Sequence, residues 1–505
     1  MAEEDVIFGK NLHLYGGIEP SNMLLFKATY VYDDTTNQKS VHIKYKLPRD
    51  TVIDGQMICS VGGAIIRRSE NGYPKDEFDG ILIEDVTSNG ELLDTNVSEG
   101  ITYYYAAFPY SKLGVYNRSN YNWSYATVGN YTYIYGYDLD TNDSNPDTRV
   151  TYPLDTDNYD YSSFHVNSST YEVSYGDWPI VPGKRFMPKP CVISYSGSSV
   201  QYLNPDNYAQ TESGETISIN TSAKGNVMME WPKIYTKRWE DSNGIYHFRC
   251  SDAQVDSTWE CICNKDINGN EIDHFYTSVY VGYVDSSGSR LRSVSGVKQS
   301  SYYNPTELKS YVANNGNGWN LECVQDVLLI RDLLTMLYKT TNITDLCGKH
   351  GTGNENSGLL NTNGLFYKNK VFGMEKFWGG YKRIVGNWRI SGSSGFQSID
   401  EYCNDNWIGV GNSKWSTTDS TDQSTAGYIK DMLTTKYGRL PITIGGSATT
   451  YETDTARFEN AEVWASTGGS YGCFGTEFKL YLSGQNDISF TNYCACLSFK
   501  PLATT

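Results

Sequence analysis

Residues 371–388 read Val371-Phe-Gly-Met-Glu-Lys-Phe-Trp-Gly-Gly-Tyr-Lys-Arg-Ile-Val-Gly-Asn-Trp388. Five aromatic side chains and four glycines stand here among only four charges. Glycine lets one backbone pass close beneath another residue's ring, and aromatic rings supply rigid packing area at low entropic cost. The stretch therefore predicts packed strands broken by tight turns.

The rest of the composition agrees. Of 505 residues 39% are hydrophobic, and Tyr contributes 42 against 17 Phe and 9 Met. Tyr packs its ring while its hydroxyl stays wet or bonded, so it replaces part of the usual aliphatic core supply. Tyr, Thr, Ser, Asn and Gly favour strands and turns over long helices. A chain of this length exceeds one ordinary core, so more than one domain is expected. The formal net charge of −17 argues against nucleic acid as a partner, because phosphate contacts need Lys and Arg. No apolar run approaches the roughly 20 residues that span a bilayer, so no membrane insertion is expected. Met1-Ala-Glu-Glu-Asp-Val6 is acidic where a signal peptide is basic and then apolar, so synthesis and folding in a cytoplasm are expected. The 11 Cys are odd in number and unevenly spaced, which suits thiols rather than a disulfide framework.

Residues 1–21 are set apart as an N-terminal segment. Between 22 and 111, short strands are expected at Leu24–Tyr32, Val41–Leu47, Gln56–Arg67, Gly80–Asp85 and Ile101–Pro109. Asp54-Gly55, Asn71-Gly72-Tyr73-Pro74, Asp79-Gly80 and Asn89-Gly90 punctuate them, and the pattern predicts a β-sandwich. Residues 112–130 lack periodicity and are expected to be a connector. A larger domain then runs over 131–505. In it, Asn304-Pro305-Thr306-Glu307 offers an N-cap, a Pro at the first helical position and an early carboxylate, predicting a helix that ends near Asn315-Gly316. A second helix is expected over Cys323–Thr340, with Val327, Ile330, Leu334 and Leu337 on one face. There is no tandem repeat and no heptad run.

The run Gly63-Ala-Ile-Ile-Arg-Arg68, with Gly72-Tyr-Pro74, Asp79-Gly80, Asp94-Thr95 and Thr102-Tyr-Tyr-Tyr-Ala106, resembles fibronectin type III modules of bacterial and phage surface proteins. The 371–388 stretch resembles a recurring element of tail-fibre and receptor-binding proteins from phages of gut bacteria. In those it lies within a C-type-lectin-like, or formylglycine-enzyme-like, domain. Tyr135–Val150, Phe275–Tyr280, Leu291–Gly296 and Ala495–Pro501 continue that resemblance in order. It implies a mainly β chain with some helix: a fibronectin III-like sandwich followed by an α+β lectin-like domain. The implied function is that of a virion adhesin contacting a bacterial surface glycan or protein, a homotrimer mounted among other virion proteins with residues 1–21 as its virion-attachment segment. A structural virion component (head fibre or capsid decoration) is the first alternative, and a tail-associated glycan-degrading enzyme the second.

Candidate sites follow. Asp138, Asp140, Asn142 and Asp143 bunch oxygen ligands, as does Asp266–Asp273, but neither loop has glycine where a calcium loop turns, so solvated turns without metal are expected. Cys261/Cys263 and Cys494/Cys496 each place two thiols on one side of a strand, too close in sequence for the usual zinc spacing. The second pair also departs from the wider copper-binding spacing of formylglycine-generating enzymes, so packing thiols and no cofactor are expected. The six His form no HExxH, and no catalytic residue is assigned. Receptor contact is assigned to Trp407, Trp415, Trp464, Tyr471, Phe474, Tyr481, Asn486 and Asn492. There, aromatic anchors alternate with Asn, Ser, Thr and Gly as in paratopes, and the resemblance puts the ligand-facing surface on the late loops.

Overall fold

Turn chemistry and period-two alternation shape the first unit strand by strand. The computed structural model describes residues 17–33, 38–129, 134–157, 165–166, 173–174, 186–285, 290–301, 303–342, 356–358, 370–375, 377, 382–391, 396–412, 426–453, 455–457, 463–467, 478–481 and 493–503. The chain divides into a unit over Met1–Thr132 and another over Tyr133–Thr505. The described residues are mainly β, in several largely antiparallel sheets with two α-helices.

The first unit contains β1 (Leu25–Asp33), β2 (Gln38–Lys46), β3 (Thr51–Ile53), β4 (Gln56–Cys59), β5 (Val61–Ser69), β6 (Ile81–Val86), β7 (Gly90–Asp94), β8 (Thr102–Ser111) and β9 (Trp123–Thr127). One sheet has the order β1-β2-β7 and the other β6-β5-β8-β9, with β3 and β4 forming a separate hairpin. That hairpin turns at Asp54 and Gly55, both at positive φ (49° and 77°), as a two-residue turn requires. Alternation buries Val41, Ile43 and Tyr45 from β2, Ala64 and Ile66 from β5, and Tyr103, Tyr105 and Ala107 from β8 in one core. The expected single strand over Gln56–Arg67 is two, split at Ser60. The segment expected as connector supplies β9, which pairs with β8 from Thr102↔Thr127 to Ala106↔Trp123 and adds Ala126 and Val128 to the core.

Tyr105 and its cross-strand partner Arg68 sit beside a buried carboxylate. The Arg68 guanidinium donates to Asp94 at 2.6 Å and to the Asn96 carbonyl at 2.7 Å, and the Tyr105 hydroxyl donates to Asp94 at 2.9 Å. Arg68 and Tyr105 belong to one sheet and Asp94 to the other, so the charge pair joins the layers.

The second unit holds two large sheets. The seven-stranded one has the order Asn207–Thr211, Val200–Asn204, Lys189–Ser194, Gly225–Pro232, His274–Ser278, Leu497–Phe499, Trp319–Leu321. The chain's last described strand thus lies inside the sheet, with Tyr276↔Phe499 and Trp319↔Phe499 on its two sides. The nine-stranded sheet runs Trp407–Asn412, Phe396–Asp400, Lys382–Ser391, Val463–Thr467, Phe478–Tyr481, Thr455–Arg457, Ala426–Thr435, Gly438–Ile444, and Tyr493–Ala495 pairs in parallel with Lys382–Ser391. A four-stranded sheet of Val150–Thr151, Tyr135–Asp140, Ile245–Ser251 and Tyr235–Glu240 completes the larger elements.

Helix α1 (Pro305–Ala313) has the expected start: Asn304 accepts from the Glu307 N–H and the Glu307 carboxylate accepts from the Asn304 N–H. It lays Leu308 and Val312 on the core beside the seven-stranded sheet. Helix α2 (Val324–Tyr338) is two residues shorter than expected at its C-terminus and is buried on nearly all sides. Its Val324 and Leu328 pack with Val385, Trp388, Ile399 and Leu440 of the nine-stranded sheet. Within the 371–388 stretch, Phe372 and Gly373 make a tight turn (φ 47° and 83°), and Phe372 meets Trp231 edge-on at 5.2 Å. A Cβ on Gly386 would come within 2.6 Å of the Leu321 Cβ, so the close approach requires glycine.

Charged groups are buried in this unit too. Glu452 receives Arg439 at 2.7 Å, Arg331 at 3.1 Å and Arg149 at 3.3 Å. Asp332 accepts from Arg238 at 2.7 Å, from the Tyr137 hydroxyl at 2.8 Å and from the Tyr246 hydroxyl at 3.2 Å. Lys500 reaches Asp326 at 3.0 Å, tying the closing strand to the first turn of α2.

Candidate functional site

Two of the residues assigned to receptor contact come together. Trp407 begins one edge strand of the nine-stranded sheet and Trp464 lies on a strand nearer its middle, yet their rings meet at 5.6 Å and 78°, edge to face. Between them stands Arg389, the residue after Trp388, whose cross-strand neighbours are Trp464 and Ser398. Alternation explains it: Trp388 points into the core, so the next residue faces the other way. The guanidinium carbon lies 3.9 Å from the Trp407 ring centre and 4.3 Å from that of Trp464. Lys309, from α1, puts its ammonium 4.2 Å from the Trp464 centre. All four side chains are partly exposed. At the sheet edge the Phe396 ring, 41% exposed, lies over Gly409, where a Cβ would come within 2.3 Å of it.

The loop leading into Trp407 is shaped by Asp400. That carboxylate is buried and accepts from the Asn404 N–H at 3.0 Å and the Asp405 N–H at 2.7 Å. Cys403 and Asp405 take left-handed φ values of 56° and 67° in the turn it organises. Burial, the largest influence, lowers the pKa of Lys309, and Arg389 adds to the effect. Cys403, Asp405 and Asp400 oppose it.

Chemically, this is a stack of two cations on two aromatic rings. Each such contact contributes roughly 0.5–2 kcal/mol, more as water is excluded. Rings covered by cations have less face available for stacking on a sugar. The group presents ring edges beside a guanidinium and an ammonium, a chemistry that suits carboxylate or phosphate groups. Trp464 also packs on the core cluster beside Val410 and Ile444, so it has a structural part as well. Tyr481 is the cross-strand partner of Trp464, but its side chain lies outside the described residues, as do Trp415, Tyr471, Phe474, Asn486 and Asn492. Sequence reasoning missed Arg389, Lys309 and Phe396. Strand alternation from Trp388 could have found the first; nothing local points to the second, which arrives through tertiary packing of α1.

The acidic loops use their oxygens internally. Asp138 contacts His247 Nδ1 at 2.7 Å and accepts from Arg249 at 2.9 Å. Asp143 accepts from the Asn145 N–H at 2.9 Å and the Thr148 hydroxyl at 2.6 Å. Asp266 is no solvated turn: it is 1% exposed and accepts from the N–H groups of Asn268, Asn270 and Ala503. Cys261, Cys263, Cys494 and Cys496 are all buried, and the last two cluster with Val281. Among the described residues no group of three or more His, Cys, Asp and Glu is placed to hold a metal ion, and no helix is long and apolar enough to cross a membrane.

Compared with known proteins, the chain matches no family model and no curated protein.

Proposed function

We propose that the chain is a receptor-binding protein of a phage virion, of tail-fibre type. In this reading a fibronectin III-like spacer precedes a C-type-lectin-like domain that contacts the bacterial surface without catalysis. The first unit's strand order supports the spacer: the chain crosses between sheets after β2, β6 and β7, giving a three-strand and a four-strand layer. The Ser98 N–H donates to the Tyr103 hydroxyl at 2.9 Å, a Tyr near the start of β8 reaching back to the preceding connection, as in the tyrosine corner of such sandwiches. In the second unit, the two motifs that carried the resemblance at Phe275–Tyr280 and Ala495–Pro501 lie on paired strands, which favours one terminal domain over separate pieces.

The observation that carries the binding role is the part-exposed group of Trp407, Arg389, Trp464 and Lys309. It concentrates positive charge and aromatic surface in a chain of net charge −17. Its fitting ligand is a carboxylate- or phosphate-bearing group of a surface glycan, or an acidic protein segment. Three buried carboxylates, Glu452, Asp332 and Asp326, are each paired with a cation, which suits a structural part for them. A homotrimer fits the adhesin role, because several weak contacts made together gain strength. Purified full-length chain, added to host cells before infection, should block phage adsorption. Antibody labelling of the virion separates this from the structural alternative: label at the fibre tips supports an adhesin, and label confined to the head opposes it.

A further inference from the structure

Cys323 and Cys403 stand apart from the other described cysteines. Their sulfurs are 3.4 Å apart although the residues lie 80 positions apart in sequence. Cys323 is the N-cap residue of α2 and is fully buried. Its position is fixed by the helix start, where the Val324 N–H donates to the Asn387 side chain at 2.8 Å and the Val327 N–H to the Cys323 carbonyl at 3.2 Å. Cys403 sits in the Asp400 turn and, of the nine described cysteines, is the one not buried. A dissolved reagent meets Cys403 first, and among the described cysteines its sulfur neighbour is Cys323.

We propose that this pair is a thiol–disulfide site: Cys403 reacts with a low-molecular-weight disulfide and Cys323 resolves the product. In the first step the Cys403 thiolate attacks the small disulfide, forming a mixed disulfide and releasing one small thiolate. In the second, the Cys323 sulfur attacks the Cys403 sulfur and expels the second small thiolate. The two cysteine protons end on the two released thiols, so two protein thiols are oxidised and one small disulfide is reduced. The sulfurs must approach by a little over an ångström to reach bonding distance, about 2.0 Å. The movement falls to the Asp400 turn, since Cys323 is held by a helix. The bridge joins the start of α2 to the loop that enters Trp407, so oxidation clamps that loop. The inference is independent of the adhesin reading, because it rests on the thiols alone.

The test uses the full-length chain, reduced, desalted and then incubated with oxidised glutathione. Remaining thiols are blocked with N-ethylmaleimide and the digest is read by mass spectrometry without reduction. A linked peptide joining Cys323 to Cys403 is expected, with a melting temperature about 5 °C higher that dithiothreitol reverses. Cys403→Ser should abolish both, and Cys323→Ser should trap the glutathione adduct on Cys403. The proposal is overturned if the unaltered chain keeps a stable adduct on Cys403, if Cys403 pairs with another cysteine, or if N-ethylmaleimide labels it as fully after oxidation as before. These readings on the unaltered chain decide the matter even if a variant fails to fold.

Discussion

Arg68 and Asp94, one from each sheet of the first unit, meet at 2.6 Å with both side chains almost wholly buried. Two charges taken out of water repay their desolvation only when they are paired and hydrogen-bonded, and Tyr105 and the Asn96 carbonyl help to satisfy them. Removing one partner leaves a buried charge alone. Arg68→Ala or Asp94→Ala should therefore cost roughly 3–5 kcal/mol in urea unfolding of the first unit. The Arg68→Met/Asp94→Leu double variant should recover most of that loss. Single variants as stable as the parent would mean that water reaches the pair.

The boundary of the sandwich makes a second test. A chain ending at Ser111 lacks β9, so it loses the pairing along β8 and the buried Ala126 and Val128. One ending at Thr132 keeps both. Circular dichroism should show a cooperative melt for the longer piece and a lower or absent one for the shorter. Equal melts would make β9 an ornament.

Glu452 predicts a pH dependence. Burial opposes its ionisation, but Arg439, Arg149 and Arg331 together outweigh burial and hold the carboxyl at about 2, below the ordinary value of 4.5. With a depressed folded-state pKa, the stabilisation is fully present above pH 4.5 and is lost as pH falls towards 2. The shift corresponds to about 3 kcal/mol. Glu452→Gln should be destabilised by at least that amount at pH 7, where three arginines lose their anion. The gap between parent and variant should narrow between pH 4.5 and 2 in denaturant titrations. A gap unchanged with pH would contradict the account.

Trp464 and Trp407 should separate in their effects on stability. From sequence alone both are assigned to receptor contact. Trp464 instead packs on the buried core cluster of the nine-stranded sheet and carries two cations. Trp464→Ala should lower stability by about 3 kcal/mol or more, as for a large core truncation, while Trp407→Ala at the sheet edge should cost markedly less. Calorimetry of the two variants side by side decides this.

Much of the local structure was legible because it is written locally. The cap of α1 is spelled by Asn304, Pro305 and Glu307, and the strands with clean alternation, such as Val41–Tyr45, stand out. β7 was missed because Gly90-Glu-Leu-Leu-Asp94 is mostly exposed and offers only Leu92 and Asp94 to the interior, and a buried Asp reads as a turn residue. β9 was missed because Trp123–Thr127 buries only Ala126, and its partner β8 is what makes it a strand. At the site, Trp407 and Trp464 were visible as aromatics among small polar residues. Lys309 was not, since helix α1 brings it across from a distant part of the chain.

The central claim rests on the Trp407–Arg389 contact, and its most direct test is the dissociation constant of labelled, purified chain on host cells. It should be measured for the parent, Trp407→Ala and Arg389→Ala at a temperature where circular dichroism shows all three folded. The account predicts that each variant binds more weakly by about 1–3 kcal/mol, roughly 5- to 150-fold, and that added salt weakens the parent more than Arg389→Ala. Two folded variants that bind host cells as tightly as the parent would contradict it.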